Sequence, residues 1–308
     1  MAPTSHEPSN LIIDRPLLRV RQRRAFAGEP ETFLLDQVAE EIAERVAVVL
    51  REFPLVVDLG TPTDALRRSL AGSGKVGTII AADALTAHAT RYRQADVLAV
   101  AADEEALPFG DGALDLVVSG LALHFVNDLP GTLVQIRRAL RPDGLFLAAM
   151  LGGDTLIELR QAFAAAEAET ADGISPRVLP FADTRALGAL LQRAGFALPV
   201  TDVDRLTVRY ASPLDLMQEL RRMGATNMLI ERHRRTLRRS TLARMLEIYG
   251  ERFADPDGRI RATFEIVFLS GWSPHESQQK PLAPGSARTR LAEALGTKER
   301  STGEKPER

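Results

Sequence analysis

The chain has 308 residues, of which 45% are apolar and 26% charged, ordinary proportions for a globular protein with a substantial core. Its 39 lysines and arginines nearly balance 41 aspartates and glutamates, which argues against a general nucleic-acid binder. The absence of cysteine excludes disulfides, thiolate metal sites and cysteine nucleophiles. No stretch reaches the roughly 18 apolar residues of a membrane span, and no secretory signal is recognisable, so we expect a cytoplasmic protein.

Residues 1–53 are predicted to form a tail and two helices. The basic segment 11–26 should become helical near Pro16, because proline suits a first helical turn. The arginine run that begins at Arg19 is interpreted as a solvated face or as a docking surface for an acidic partner. A second helix is predicted over 31–52, where apolar residues recur at helical spacing.

Five short runs rich in valine, isoleucine and leucine come next, and they are typical of strands buried on both faces of a parallel sheet. They span residues 55–60, 75–83, 96–103, 114–120 and 144–151. Helical segments at 64–71 and 128–140 lie between some of them. This alternation predicts an open, doubly wound α/β sheet.

The remainder is predicted to add helices, two strands and a tail. Helices are expected at 155–171 and at 183–194, the second ending at Gly195 as a C-cap. Two strands, 202–210 and 262–272, should pair at the sheet edge around an Arg-rich helical insertion at about 211–260, in which 213–249 is helical. Its most basic stretch, from Arg232 to Arg239, is interpreted as a solvated helix face or as a surface for an acidic protein or phosphate backbone. The α/β domain is therefore expected over 54–275, and residues 276–308 as a mobile tail.

Three of the predicted strands end in an aspartate, namely Asp58, Asp83 and Asp103. Ligands of a doubly wound sheet bind at the carboxyl ends of the strands, and a carboxylate there accepts hydrogen bonds from ribose hydroxyls or an exocyclic amine. Asp83 follows Asp58 by 25 residues, close to the ~20 of a nucleoside-binding unit. Helix capping is the alternative role for each acid, but three acids in register favour a nucleoside site.

These residues carry a resemblance to class I S-adenosylmethionine-dependent methyltransferases, through Asp58-Leu59-Gly60, Asp83 and the segments 102–130 and 140–146. Within that class the chain is most similar to the mitochondrial complex I assembly-factor hydroxylases and their bacterial relatives. The specific segments are GGDTL-ELR at 152–160, SPRVLPF at 175–181 and GWSPHESQQKP at 271–281. The malonyl-carrier-protein methyltransferase of biotin synthesis is a more distant relative.

The resemblance implies a mostly parallel, seven-stranded, Rossmann-like methyltransferase sheet with S-adenosylmethionine as cofactor. The glycine after the first strand would approach its methionine end, Asp83 would hold the ribose, and the acids after the third strand would meet the adenine amine. The end of the fourth strand would lie beside the transferable group. The implied cofactor residues are Asp58, Gly60, Asp83, Asp103, Glu104, Ser119 and Gly120.

The first glycine motif departs from the family's Asp-Leu-Gly-Cys-Gly-x-Gly, because residues 58–64 read Asp-Leu-Gly-Thr-Pro-Thr-Asp. Pro62 has no N–H to offer a ligand. Thr61 to Asp64 also matches a capping box with Thr61 as the N-cap. The Asp64 carboxylate would then repel the cofactor's carboxylate by ~1 to ~4 kcal/mol, so we expect weakened cofactor binding.

His124 follows the fourth predicted strand, as a candidate general base or as a packing histidine. The five histidines show no metal-ligand spacing, so no metal site is predicted. The resemblance implies modification of a protein side chain during respiratory complex I assembly, by arginine hydroxylation or methyl transfer, on a complex I subunit as partner. Peripheral membrane association stays open. The alternative is a non-catalytic assembly or binding module with a degenerate cofactor site.

Overall fold

The computed structural model describes residues 11–85, 97–171, 173–279, 293 and 295–298. Two compact units are distinguished, Met1–Pro274 and His275–Arg308. The predicted boundaries after residues 53 and 275 stay predictions, and the tail expected over 276–308 falls mostly outside the described residues. The strands of the first unit are β1 (Phe53–Leu59), β2 (Val76–Asp83), β3 (Val97–Ala101), β4 (Leu114–Gly120), β5 (Leu140–Leu151), β6 (Ala197–Tyr210) and β7 (Ile260–Trp272).

The described strands form one seven-stranded sheet in the order β3-β2-β1-β4-β5-β7-β6. Neighbours from β3 to β5 are parallel, and β7 runs antiparallel between β5 and β6. The predicted doubly wound, mostly parallel fold is confirmed. Strand order reverses between β1 and β4, which is where such sheets bind their ligands.

Eight α-helices are found in the described part of the chain, and several begin behind a side-chain cap that satisfies an otherwise unpaired backbone N–H. They are α1 (Arg15–Ala27), α2 (Phe33–Ala47), α3 (Ala65–Gly72), α4 (Leu129–Ala139), α5 (Ile157–Thr170), α6 (Thr184–Arg193), α7 (Pro213–Arg222) and α8 (Arg239–Phe253). The caps are Asp14 before α1, Asp128 before α4, Asp183 before α6 and Ser212 before α7. Gly195, with φ +84°, ends α6 as predicted.

The sheet lies between two apolar layers. Alternate strand residues such as Val56 and Val118 pack against helices that include α2, α5 and α8. The intervening Val57 and Val117 pack against α4 and α6. Because successive residues of a strand point to opposite faces, a central strand covered on both sides is apolar throughout. The N-terminal helix α2 therefore belongs to the same core as the sheet.

The predicted helix over 213–249 is wrong in its middle. The first helix stops at Arg222, Gly224 follows with φ +73°, and α8 begins only at Arg239, because left-handed backbone ends a helix. The basic stretch from Arg232 onward therefore lies in a largely exposed loop that leads into α8, not on a helix face. Arg232 pairs with Asp14 at 3.0 Å.

Candidate active site

The end of β1 is shaped by Gly60. Its φ of +73° lies in the left-handed region that favours glycine, and its N–H donates to the Ala82 carbonyl at 2.7 Å. A Cβ on Gly60 would lie 2.9 Å from the Ala122 Cβ and 3.2 Å from Glu104 Oε1. Conformation and space both require glycine here, and the turn meets the residues that follow β3 and β4.

A small cleft lies at this point, between the strand ends and α1. Gly60, Asp83 and Glu104 line it from the sheet side, and Arg15 and Arg19 line it from α1. Its volume is about 20 Å³, which is room for about one water molecule. The structure thus brings three of the predicted cofactor residues together in one cleft that is nearly filled by protein.

The acids around the cleft differ in how readily their side chains ionise. Burial raises the pKa of Glu104, and the charges of Asp83 and Asp103 reinforce this shift against the opposing effect of Arg15. Burial also disfavours the ionised form of Asp103, but the Glu105 N–H and the guanidinium groups of Arg15 and Arg19 outweigh it and hold the Asp103 pKa below its usual value. Asp103 is therefore the more firmly ionised of the two.

Arg15 and Arg19 hold the acid triplet, defined as Asp103, Glu104 and Glu105. Arg15 forms ion pairs with all three acids, and Arg19 pairs with Asp103. The sequence predicts that the arginine run is solvated or faces an acidic partner, and in the structure Arg19 pairs with an acid of its own chain, Asp103. The role of Arg15 was missed, although three consecutive acids such as 103–105 are a signal that a cation lies nearby.

The predicted methionine end is occupied by the chain itself. The Thr61 hydroxyl oxygen accepts the Gly120 N–H at 2.9 Å, and the Ser119 hydroxyl donates to the Leu59 carbonyl at 2.7 Å. A Cβ on Gly120 would lie 3.1 Å from a methyl carbon of Leu35. Thr61, Leu35 and the β4 end therefore close this region by direct packing.

The predicted capping box is wrong. Helix α3 begins at Ala65, so Thr61 and Pro62 precede it, and its N-cap Asp64 makes no side-chain cap bond. The Asp64 carboxylate lies 3.5 Å from the Arg68 side chain. Thr61 bonds to β4 instead of capping a helix, because the strand end offers it a buried N–H.

Asp58 does not line the cleft. Its carboxylate is 2.6 Å from the Arg67 guanidinium, and both side chains are almost fully buried. Burial raises the pKa of Asp58 to about 6 against the attraction of Arg67. In this structure Asp58 supports the loop after β1 from behind.

The implied cofactor does not fit this closed arrangement. Asp83 and the acid triplet are suitable acceptors for ribose and adenine donors, but the cleft is far smaller than the roughly 300 Å³ of ordinary small-molecule pockets. The Gly120 N–H is already bonded to Thr61, and Pro62 has none to give. The space for the nucleoside end of the cofactor and the backbone N–H donors for its methionine end are therefore both missing.

A cavity of about 510 Å³ adjoins the cleft, and Gln22 and Phe125 line both. Its walls are mainly apolar. Leu121 and Leu156, which line it, have φ of +51° and +55°, and such strained non-glycine residues concentrate at functional sites. A cavity of this size suits a small molecule or an inserted side chain.

His124 also lines this cavity. Its ring centroid is 4.0 Å from that of Phe125, and burial lowers the pKa of its imidazole to about 3. The ring is therefore neutral near pH 7 and a weak base. Its role as a general base stays a prediction.

The GGDTL segment ties β5 to β7 beside the cavity. The Gly152 N–H donates to the Glu265 carbonyl at 2.8 Å, and the Thr155 hydroxyl donates to that carbonyl at 3.0 Å and accepts the Glu265 N–H at 3.1 Å. A Cβ on Gly152 would lie 2.4 Å from Glu265 Oε1. This turn positions Leu156, a role that the sequence did not reveal.

The described residues contain neither a metal-ligand cluster nor a membrane-spanning helix. Within 11–85, 97–171 and 173–279, no group of three or more histidine, aspartate or glutamate side chains is arranged to hold a metal ion. The helices of the same ranges include none with the length and apolar character needed to cross a membrane.

Comparison with known proteins confirms the resemblance. Residues 57–148 match a family described as a methyltransferase domain. The arginine-hydroxylase NDUFAF5, mitochondrial, of Homo sapiens is 39% identical over 288 residues, which cover 92% of this chain and 83% of that protein. The Rattus norvegicus protein of the same name is 41% identical over 90% of this chain and 81% of its own length.

More distant proteins show the same relationship. A malonyl-[acyl-carrier protein] O-methyltransferase of Gallionella capsiferriformans (strain ES-2) is 32% identical over 86% of this chain and 93% of that protein. The fold is shared with a putative methyltransferase from Bacillus halodurans C-125, with a TM-score of 0.54 at 15% identity, covering 77% of this chain and 99% of that one. The chain therefore belongs to the class I S-adenosylmethionine-dependent methyltransferase family of enzymes, near the NDUFAF5 arginine hydroxylases and their bacterial relatives.

Proposed function

We propose that this protein modifies a protein side chain during respiratory complex I assembly, with S-adenosylmethionine entering once the closed cleft has opened and with arginine hydroxylation as the first candidate reaction. Inserting one oxygen atom into a bond to hydrogen of the arginine side chain is a two-electron oxidation that a methyl sulfonium cannot supply. Dioxygen with a two-electron reductant is the class of co-substrate that balances it, and the second oxygen atom leaves as water. The observation that carries the proposal is the identity of about 40% to proteins named arginine hydroxylases, over more than four fifths of their length. A complex I subunit is the proposed partner. The cytoplasmic location stays a prediction, while the names of those relatives refer to mitochondria.

Acidic side chains line both the small cleft and the large cavity. Asp83 and Glu104 line the small cleft, where carboxylates accept hydrogen bonds from a ribose and an amine. Glu31 brings a carboxylate to the wall of the large cavity, although Arg222 now pairs with it at 2.8 Å. The apolar walls would pack against the methylene groups of an arginine side chain that entered the cavity. Its guanidinium would have to replace Arg222 as the partner of Glu31 in a wall that Arg177 and Arg221 also line.

Methyl transfer is the second candidate. The mainly apolar walls of the cavity suit an acyl chain delivered by a carrier. The 32% identity to a malonyl-[acyl-carrier protein] O-methyltransferase favours the same reaction. Hydroxylation ranks first because its relatives are more similar.

The test compares complex I subunits from cells that contain the wild-type protein, no protein, Asp83→Asn or the control Asp111→Asn. Asp83 is 7% exposed at the cleft, whereas the Asp111 side chain is 69% exposed. Mass spectrometry should show one added oxygen atom on a subunit arginine with the wild type and the control only. An added methyl group instead would favour the second candidate. Identical subunits in all four samples would refute modification and leave the non-catalytic assembly module.

A further inference from the structure

We propose that α1 is a latch on the nucleoside cleft, in which Arg15 and Arg19 occupy the acids that a nucleoside would bind. A nucleoside enters only when these arginines release the acid triplet. The proposal rests on the proposed function solely in taking a nucleoside as the ligand of this cleft. It also explains why a protein of this family has almost no space between its strand ends.

The latch is built from ion pairs at the edge of the cleft, which Arg15, Arg19 and Glu104 line. Arg15 contacts all three acids, including Glu105 at 2.9 Å, and its side chain is 12% exposed. Arg19, one turn later, contacts Asp103 and is 33% exposed. Because residues four apart lie on one face of a helix, the two arginines act together on the sheet edge.

The start of α1 and the residues just before it are attached to loops, whereas α1 also contacts α7 and buries Phe26 near its end. Asn127 Oδ1 accepts the N–H groups of Ile12 and Ile13 at 2.9 and 2.8 Å, and the Asp14 N–H donates to the Met228 carbonyl at 2.9 Å. A small apolar cluster joins the start of α1 to these loops and is separate from the two layers on the sheet. Its buried members are Ile13, Leu18, Leu179, Met228 and Leu229.

This attachment determines how the latch can open. Because the small cluster is separate from the sheet's cores, the first turns of α1, which carry Arg15 and Arg19, can shift away from the strand ends without uncovering those cores. Segments with few core contacts open at a low free-energy cost. The arginine–acid pairs are then contacts that a nucleoside must displace, together with the packing of Leu18 in the small cluster.

The strength of the arginine–acid ion pairs determines how much nucleoside affinity changes when an arginine is removed. A partly exposed ion pair shifts an equilibrium by a factor of up to about five, and the apparent affinity of a ligand falls with the fraction of protein that is closed. Removing the single pair of Arg19 should therefore tighten nucleoside binding about three- to fivefold.

Adenosine is the probe, because it lacks the methionine part and is unaffected by the closed end at Thr61. Calorimetry would compare the wild type, Arg19→Ala and the control Arg23→Ala, which removes an exposed arginine of the same helix. We expect tighter binding with Arg19→Ala only. Higher salt should also tighten binding to the wild type more than to Arg19→Ala, since salt screens the latch and adenosine carries no charge.

Several results would overturn the latch. They are equal or weaker adenosine binding by Arg19→Ala, equal gains in both variants, and no binding by any protein at millimolar adenosine. Amide hydrogen exchange gives a second readout, in which saturating adenosine should increase exchange in residues 15–22. Increased protection there would contradict release. If Arg19→Ala behaves as expected but no complex I subunit is modified, the latch holds and the proposed function fails.

Discussion

The buried pair of Asp58 and Arg67 lies directly behind the loop that follows β1. The two side chains are 0% and 2% exposed and 2.6 Å apart. Asp58→Asn removes the negative charge with little change in shape, and the Arg67 guanidinium then stays buried without an anion. Breaking such a pair costs about 3–5 kcal/mol. With a urea m-value near 3 kcal/mol/M for a chain of this size, the unfolding midpoint should fall by about 1 M or more.

The reciprocal variant Arg67→Met should depend on pH. Folding raises the pKa of Asp58 from 3.8 to about 6, so the folded protein binds more protons than the unfolded chain between those values. The stability from this group is present below pH 3.8 and is lost as pH rises through about 6. Without Arg67 the folded pKa rises further, so the variant should lose most stability at pH 8 and recover part of it at pH 5.

Urea unfolding of the two single variants, the double variant and a control gives the test. Asp58→Asn with Arg67→Met should be much closer to wild type than either single change, because no lone charge stays buried. The control Arg138→Met breaks the Asp111 pair, whose side chains are 57% and 69% exposed, and should cost under about 1 kcal/mol. A loss below about 1 kcal/mol for Asp58→Asn, or no pH dependence for Arg67→Met, would refute the reasoning.

Three further predictions concern the site. Thr61→Val should reduce the free energy of unfolding by about 1–3 kcal/mol, because the Gly120 N–H loses its acceptor, whereas Thr61→Ser should retain most of it; urea midpoints equal for both would contradict this. Gly152→Ala should lower the melting temperature, since its Cβ would lie 2.4 Å from Glu265 Oε1 and overpacking costs about 1–3 kcal/mol; an unchanged melting curve would show that Glu265 moves aside. Burial lowers the His124 pKa to about 3, so between pH 7 and 5 the imidazole binds a proton in the unfolded chain but not in the folded protein. The free energy of unfolding should therefore fall by about 2 kcal/mol over this range. His124→Gln should remove that part of the pH dependence in paired urea titrations, and identical pH profiles would exclude it.

The strands of the sheet could be predicted because each is indicated by a short run of neighbouring residues in the sequence. Runs such as 114–120 are rich in leucine and valine, and the structure places β4 at Leu114–Gly120 between two layers. The break between α7 and α8 was not predictable from periodicity, since the basic residues around Arg232 fit an exposed helix as well as an exposed loop.

The site was predictable only in part. Gly60, Asp83 and Glu104 follow strands that meet at one edge, so their proximity followed from topology. The pairing of Arg15 with acids almost 90 residues later depends on how the helix lies across the sheet, which no local pattern encodes. The bond from Thr61 to Gly120 was missed for the same reason, because a threonine before a helix fits a cap equally well.

Gln22 and Phe125 are common to the linings of the small cleft and the large cavity. If these two side chains shift toward the small cleft, the large cavity becomes larger, and a shift toward the cavity enlarges the cleft. A ligand in the small cleft therefore changes the volume available to a second ligand in the large cavity, and the reverse also holds. The binding free energies of the two ligands would be coupled even without direct contact between them. The order in which two ligands bind would then depend on α1, which carries Gln22, and on the turn after β4, which carries Phe125.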